Sequence, residues 1–341
     1  MAEYAGRQWT RAELSQRVGR MDQIAGIQAL EYTDGRARGS RMFQVYTGSG
    51  LQFEVNVERA LDITNCFYRG MALNWTGSTG QVHPAYYEPE GLGWLRSFHG
   101  GLVLTCGLDS FGAPTVDEGE AFGIHGRVSN LPAEQVAHRT YWQDDAYILE
   151  ISGKVQQTRV YGENLLLERR IQTQLGAAWL QIDDTVTNLG HAPQPHMLLY
   201  HCNLGFPLID ADTQLHLDTT ETVARDADAQ PGIDHWREFQ PPTPGYREQV
   251  FRHAPQPESD GLATARVHNP RLGLDLRLRF SQQTLPHVIQ WKQPGQGVYV
   301  LGVEPGNSSA VEGRAVARER ADLPMLGPGE SRAYLLRFEI G

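Results

Sequence analysis

Short stretches in which apolar and polar residues alternate run through most of the chain, and they predict a protein built mainly of β-strands. Leu51, Phe53, Val55 and Val57 are separated by polar residues, and leucines alternate with polar or charged residues over 272–278. A period of two is typical of a strand with one buried face. Three further consecutive strands with short connections are predicted over 147–160, 165–175 and 177–188.

Two glycine-containing turns predict hairpins between such strands. Asp34-Gly35 separates the stretches 27–33 and 36–47, and this dipeptide suits the left-handed turn conformations of hairpins. The second turn is predicted over 294–297. A four-residue turn there would place His287 opposite Glu304 on the neighbouring strand.

One short helix is predicted near the start of the chain, over 10–20. Thr10 and Glu13 have the spacing of a capping box, which satisfies two amides at a helix start. Leu14, Val18 and Met21 then recur at helical spacing, and Gly26 follows as an end signal.

The order of these elements predicts an all-β protein with large antiparallel sheets, because no helical periods separate the strands. A proline-rich stretch over 226–261 is predicted to be a long irregular loop. It could instead link two domains. Strands of similar character on both sides favour a single domain over 1–341.

Charge and composition narrow the classes of partner. The formal net charge of −10 disfavours nucleic acid and membrane partners. Three scattered cysteines suit a reducing compartment, and the charged N-terminus is unlike a signal peptide, so a cytoplasmic location is expected. No cofactor-binding loop is present, the histidine spacing predicts no metal site, and the oligomeric state stays open.

Histidines beside glycines and one strand-end carboxylate are the candidate chemical groups. His99 and His125 each lie next to a glycine, where backbone can approach a ligand closely. His201 lies in an apolar strand, and imidazole can exchange protons near neutral pH. Glu304 ends an apolar strand, where burial would raise the pKa of its carboxyl and suit it to general-base chemistry. For each residue a purely structural role is the alternative.

Five segments, in this order, resemble the galactose mutarotase (aldose 1-epimerase) superfamily, and within it a divergent aldose-1-epimerase-like branch. The resemblance covers about residues 10–341 and is carried by RVGRMDQIAG, LQFEVNVERALDI, FHGGLVLTCGLDSFGAP, HGRVSNLPAE and YVLGVEPGNS.

This resemblance implies a β-supersandwich of stacked antiparallel sheets with an open cleft and a metal-free acid–base pair. His201 matches the family's acid, which protonates the ring oxygen of a sugar, and Glu304 matches the base, which takes the proton of the anomeric hydroxyl. The substrate-binding positions implied by the resemblance are His125, Arg127, His99, Lys292, Asn307 and Asp234.

The resemblance implies a carbohydrate-binding isomerase that interconverts the anomers of an aldose, with a small-molecule sugar as its partner. The segment CNLGFPL departs from the aromatic-rich sequence of ordinary mutarotases, and Arg127 with Lys292 is more basic than a neutral hexose requires. Two alternatives therefore stay open. One is isomerisation or elimination on a keto or acidic sugar, and the other is sugar binding without catalysis.

Overall fold

The computed structural model describes residues 2–341, which fold mainly into antiparallel β-strands. In chain order the strands are β1 (Ala2–Tyr4), β2 (Arg7–Trp9), β3 (Gly26–Glu31), β4 (Arg41–Tyr46), β5 (Leu51–Asn56), β6 (Asp62–Tyr68), β7 (Met71–Ala72), β8 (Leu104–Leu108), β9 (Thr115–Asp117), β10 (Glu120–Phe122), β11 (Glu134–Gln143), β12 (Ala146–Thr158), β13 (Asn164–Gln174), β14 (Trp179–Asn188), β15 (Gln194–Pro195), β16 (Met197–Gly205), β17 (Gln214–Leu217), β18 (Thr219–Ala224), β19 (Gln249–Pro255), β20 (Leu262–Asn269), β21 (Leu274–Ser281), β22 (His287–Gly295), β23 (Val298–Gly306), β24 (Met325–Leu326) and β25 (Ser331–Ile340).

Helical structure is limited to short segments. The α-helices are α1 (Arg11–Ser15) and α2 (Arg314–Glu319), and the 3-10 segments are Met21–Gln23, Gly35–Ala37, Pro84–Tyr86, Gly93–Arg96, Val128–Asn130 and Gln230–His235. None of the helices within residues 2–341 is long and apolar enough to cross a membrane.

Three large sheets form the framework of the molecule. An N-terminal sheet has the order β3-β4-β5-β6-β7, a large sheet the order β11-β12-β13-β14-β25-β21-β20-β17, and a six-stranded sheet the order β18-β19-β22-β23-β16-β8. The six-stranded sheet is the cleft sheet. One apolar core contains residues from all three sheets, such as Phe53, Leu167 and Val303. The predicted all-β fold of large antiparallel sheets is confirmed.

A buried ionic cluster joins the three sheets. Arg169 of the large sheet binds Asp184 beside it at 2.7 Å and Asp62 of the N-terminal sheet at 2.8 Å, and all three side chains are fully buried. It also donates to the hydroxyl of Thr105 in the cleft sheet at 2.8 Å, and the hydroxyl of Tyr200 donates to Asp184 at 2.7 Å. Burial of Arg169 opposes its charge, but Asp184 and Asp62 outweigh that effect and raise its pKa.

Several local predictions need correction. The capping box of Thr10 and Glu13 is present, but α1 ends at Ser15 and so is shorter than the predicted 10–20. The stretch 226–261 is irregular only in part, because it contains the 3-10 segment Gln230–His235 and strand β19. The hairpin predicted at Asp34-Gly35 is present, because β3 pairs with β4, and its connection is a longer one that contains a 3-10 segment.

The predicted hairpin between β22 and β23 is present with a tighter turn. Gly295 pairs with Val298, so only Gln296 and Gly297 form the loop. The register therefore differs by two residues from the prediction, and Glu304 lies opposite Ile289 instead of His287. Because side chains alternate with a period of two, this shift leaves Glu304 on the expected face.

Candidate active site

A cleft of about 350 Å³ opens over one face of the cleft sheet. His201 of β16 and Glu304 of β23 lie at its base and are only 5% and 2% exposed. Leu199 pairs with Gly306 and Cys202 with Val303, and counting along both strands places His201 opposite Glu304. Their side chains meet, with His201 Nε2 3.3 Å from Glu304 Oε1.

Gly302, which lies two positions before Glu304 on β23, makes room for the carboxyl of Glu304. A Cβ at Gly302 would collide with Glu304 Oε1 and with the side chain of Trp291. The residue two positions before Glu304 therefore has to be small for the carboxyl to lie flat over the sheet. This requirement explains the glycine within an otherwise apolar strand.

Several polar atoms of the site have no hydrogen-bond partner among the described residues. They are His201 Nδ1, His125 Nδ1 and Glu304 Oε1. The 3.3 Å approach of Glu304 to His201 therefore lacks the geometry of a hydrogen bond. Buried polar groups are normally paired, and unpaired ones often mark a functional role.

Burial shifts the two central groups in opposite directions. It raises the pKa of Glu304 well above its ordinary value, and the negative charge of Glu248 adds to the effect. Burial lowers the pKa of His201 to about 4. Near neutral pH both directions favour a neutral carboxyl beside a neutral imidazole. The pair then holds one exchangeable proton, in addition to the proton of the neutral ring.

His125 joins the pair from a loop held in an unusual backbone conformation. Its φ is 60°, in the left-handed region that few residues other than glycine adopt. Its N–H donates to the carbonyl of Gly112 at 2.9 Å, and its carbonyl accepts from the N–H of Gly107 at 3.1 Å. The ring lies edge-on to His201 at 5.3 Å between centroids. Such strained positions often occur at functional sites.

Aromatic side chains form the walls around this polar centre. Trp94 lies 4.8 Å from His125, Phe98 lies 5.2 Å from His201, and Trp291 lies 5.7 Å from His201 between ring centroids. Trp75 contacts Trp291 edge-on at 5.8 Å. Aromatic faces of this kind suit the apolar side of a small ligand while the histidines and Glu304 contact its polar atoms.

A charged group at the edge of the cleft was not predicted from the sequence. Arg225 donates to Glu248 at 3.0 Å, and the indole N–H of Trp291 donates to the other oxygen of Glu248 at 2.9 Å. Arg225 directly follows β18 and Glu248 directly precedes β19, and these strands pair with each other. The available signal was their position at the two ends of the segment 225–248, which connects β18 to β19.

Two basic residues expected in the cleft lie elsewhere. Arg127 is exposed and lines a separate depression with Pro89 and Phe122. Lys292 follows Trp291 in β22 and therefore faces the opposite side of the sheet. There its ammonium donates to the carbonyl of His235 at 2.8 Å, and burial lowers its pKa to about 8.

Asn307 also lies outside the cleft and has a structural environment. Its side chain accepts from the N–H of Leu198 at 2.8 Å and donates to the carbonyl of His196 at 2.8 Å. It donates in addition to the hydroxyl of Tyr334 at 3.3 Å. These bonds hold the start of β16, the strand that carries His201.

His99 and Asp234 do not line the cleft either. His99 is 1% exposed, and burial together with the charge of Arg59 lowers its pKa well below the ordinary value. A Cβ at Gly100 would collide with the carbonyl of Trp75, so the His-Gly-Gly turn serves to position that tryptophan. Asp234 is exposed within the 3-10 segment Gln230–His235.

The structure thus brings together three of the predicted site residues: His201, Glu304 and His125. Within residues 2–341, no group of three or more His, Cys, Asp or Glu side chains is placed to hold a metal ion. The arrangement can accept one proton and deliver another across a small ligand, because an imidazole and a carboxyl lie side by side at the base of the cleft.

Comparison with known proteins agrees with this architecture. A family model described as a domain of unknown function (DUF4432) matches residues 37–340. No curated protein sequence matches the chain. Among solved structures, a candidate aldose 1-epimerase from Klebsiella pneumoniae superposes with a TM-score of 0.87 at 23% identity, covering 94% of this chain and 86% of that one.

More distant structures share the same fold. A galactose mutarotase-like protein from Clostridium acetobutylicum has a TM-score of 0.64 at 12% identity, over 94% of this chain and 99% of that one. Galactose 1-epimerase from Lactobacillus acidophilus has a TM-score of 0.61 at 10% identity, over 93% and 99%. The chain belongs to the DUF4432 family and has the β-sandwich fold of the galactose mutarotase-like proteins.

Proposed function

We propose that the protein is a carbohydrate isomerase that interconverts the anomers of an aldose by acid–base ring opening. The observation that carries the proposal is the contact of His201 with Glu304, 3.3 Å apart at the base of an aromatic cleft. The anomeric hydroxyl and the ring oxygen of a pyranose are bonded to the same carbon. Two adjacent proton-exchanging groups are therefore what the reaction requires.

The proposed reaction moves two protons. Glu304 takes the proton of the anomeric hydroxyl while His201 delivers a proton to the ring oxygen. The bond between the anomeric carbon and the ring oxygen breaks, and the open-chain aldehyde forms. Rotation about the adjacent carbon–carbon bond presents the other face of the aldehyde, and reversal of the two transfers closes the ring.

The pKa directions also allow the opposite assignment. Burial raises the pKa of Glu304 and lowers that of His201, and both directions favour a protonated carboxyl beside an imidazole that acts as the base. His201 would then accept from the anomeric hydroxyl and Glu304 would donate to the ring oxygen. Because ring opening and closing are each other's reverse, the pair can serve in both directions.

His125 and the aromatic walls would orient the sugar. His125 lines the cleft and can bond a hydroxyl next to the reacting carbon, and Trp94 and Trp291 offer surfaces to the C–H face of the ring. The two basic residues that suggested an acidic sugar, Arg127 and Lys292, lie outside the cleft. The cytoplasmic location stays a prediction from the sequence.

The test is to measure anomer exchange of several aldoses in the presence of the wild-type protein and of Glu304→Gln and His201→Asn. Each substitution should lower the rate about 10²- to 10⁴-fold, while sugar binding followed by saturation-transfer NMR should persist. Binding without acceleration by the wild type would favour a non-catalytic sugar-binding protein.

A pH profile gives a second check on the pair. The rate should fall on the acid side near the pKa of His201, about 4, where the pair takes up a second proton. It should fall on the alkaline side where the raised pKa of Glu304 is passed. A rate that rises through pH 6.5 as a single ordinary histidine titrates would contradict the buried-pair assignment.

A further inference from the structure

The cleft offers few polar groups for a sugar with a full set of hydroxyls. Of its nineteen lining residues, five have an ionisable side chain: His125, His201, Arg225, Glu248 and Glu304. Two of these are the proposed proton-transfer pair. Most of the others are aliphatic or aromatic, among them Phe111, Leu199, Val250 and Ile289.

The mouth of the cleft is apolar as well. Leu92 and Leu95 line it and are 59% and 44% exposed. Exposed leucines at the entrance of a pocket favour the binding of an apolar group, which removes their side chains from water. A hydroxyl placed against these side chains would lose its hydrogen bonds to water without replacement.

The one permanently cationic side chain in the described lining is already neutralised. Arg225 binds Glu248 at 3.0 Å and the adjacent Asp226 at 2.7 Å. One guanidinium is thus matched by two carboxylates, which leaves this edge of the cleft with an excess of negative charge. The negative charge of Glu248 also acts on Glu304 at the base of the cleft, where it contributes to the raised pKa of that carboxyl.

We infer that the cleft selects an uncharged, partly deoxygenated sugar, such as a 6-deoxyhexose, over the hexose and over the uronic acid of the same configuration. A methyl group lies favourably against aliphatic and aromatic side chains, a hydroxymethyl group leaves a hydroxyl unpaired, and a carboxylate meets the negative edge formed by Glu248 and Asp226. The choice of sugars as ligands rests on the proposed function. The inference itself concerns the order of their affinities for the cleft.

The experiment uses sets of three sugars that differ at one carbon: D-fucose, D-galactose and D-galacturonate, with D-quinovose, D-glucose and D-glucuronate as the second set. Affinities are measured by calorimetry or saturation-transfer NMR with the full chain at low ionic strength. In the set that binds, the hexose should bind about tenfold more weakly than its 6-deoxy form. The uronate should bind about 100-fold more weakly.

Glu248→Gln tests the electrostatic part of the inference. It removes one carboxylate from Arg225 while an amide oxygen can still accept from Trp291, so the discrimination against the uronate should shrink about tenfold. Glu120→Gln, at a partly exposed carboxylate outside the cleft lining, should leave this discrimination unchanged. If Glu248→Gln does not fold, the salt dependence of uronate binding replaces it: added salt should strengthen that binding.

The outcomes distinguish the proposed reaction, which is anomer exchange, from the inferred order of sugar affinities. If no sugar shows accelerated anomer exchange but the order of binding holds, the proposed reaction fails and the inference stands. If exchange is accelerated but the uronate binds as well as the 6-deoxy sugar, the inference is overturned. Equal binding of the hexose and its 6-deoxy form would overturn the apolar part of it.

Discussion

Replacement of Arg169 by methionine should strongly destabilise the fold. The change removes ion pairs to Asp62 at 2.8 Å and to Asp184 at 2.7 Å, in which every side chain is fully buried. Two carboxylates would then remain in the interior without a cation. Removal of one partner from a buried ion pair costs about 3–5 kcal/mol, and the second carboxylate places this case at the upper end.

The loss is best measured by urea unfolding at neutral pH. Arg159→Met is the matched control, because Arg159 also pairs with two carboxylates, Glu120 at 2.9 Å and Glu163 at 3.2 Å, but its side chain is 52% exposed. An exposed pair of this kind contributes at most about 1 kcal/mol. Tyr200→Phe removes a single buried hydrogen bond to the carboxylate of Asp184 and should cost about 1.5–3 kcal/mol. The account of the three-sheet junction is wrong if Arg169→Met costs no more than Arg159→Met.

Three further predictions concern residues around the cleft. Asn307→Ala should lower the free energy of unfolding by about 2–4 kcal/mol, since the N–H of Leu198 and a neighbouring carbonyl lose their partner; a loss as small as that of an exposed asparagine would refute this role. Glu304→Gln should be more stable than the wild type at pH 8 and similar near pH 4. The folded pKa of Glu304 is raised, so the stability linked to its neutral form is complete below its unfolded pKa of about 4.3 and is lost as the pH rises toward the folded value. Urea unfolding at both pH values checks this. A difference in the free energy of unfolding between variant and wild type that is the same at pH 4 and pH 8 would contradict it. Lys292→Met should leave anomer exchange unchanged, because its ammonium lies on the far face of the sheet; a rate loss like that of Glu304→Gln would place it back in the site.

The strands and the two central residues could be predicted because their signals are local. Alternation over 51–57 and over 272–278 depends only on neighbouring residues, and the structure has strands over Leu51–Asn56 and Leu274–Ser281. His201 and Glu304 lie in segments whose resemblance to mutarotases extends through the strand ends. The two-residue error in the β22–β23 register did not affect the prediction of the site, because a shift of two residues leaves every side chain on the same face of the sheet.

The position of Lys292 could not be predicted because β22 is covered on both faces. Its residues are mostly buried on either side of the sheet, so no alternation of exposed and buried positions indicates which face forms the cleft. Trp291 and Lys292 are neighbours and must face opposite sides. The resemblance favoured the lysine, and the structure places the tryptophan in the cleft.

The charged edge formed by Arg225 and Glu248 was missed for a different reason. More than twenty residues separate the two along the chain, and only the pairing of β18 with β19 brings them together. A stretch rich in proline predicts a loop but carries no information about where its ends meet. Contacts of this kind depend on the tertiary structure alone.

The central claim, proton transfer by His201 and Glu304 on a sugar's anomeric centre, is tested most directly by exchange NMR of an aldose at anomeric equilibrium. The exchange rate is compared between the wild type and Glu304→Gln at equal fractional saturation with sugar. The account predicts acceleration by the wild type and a rate about 10²- to 10⁴-fold lower with the variant, although the variant still binds the sugar. A Glu304→Gln variant that accelerates exchange as well as the wild type would contradict it.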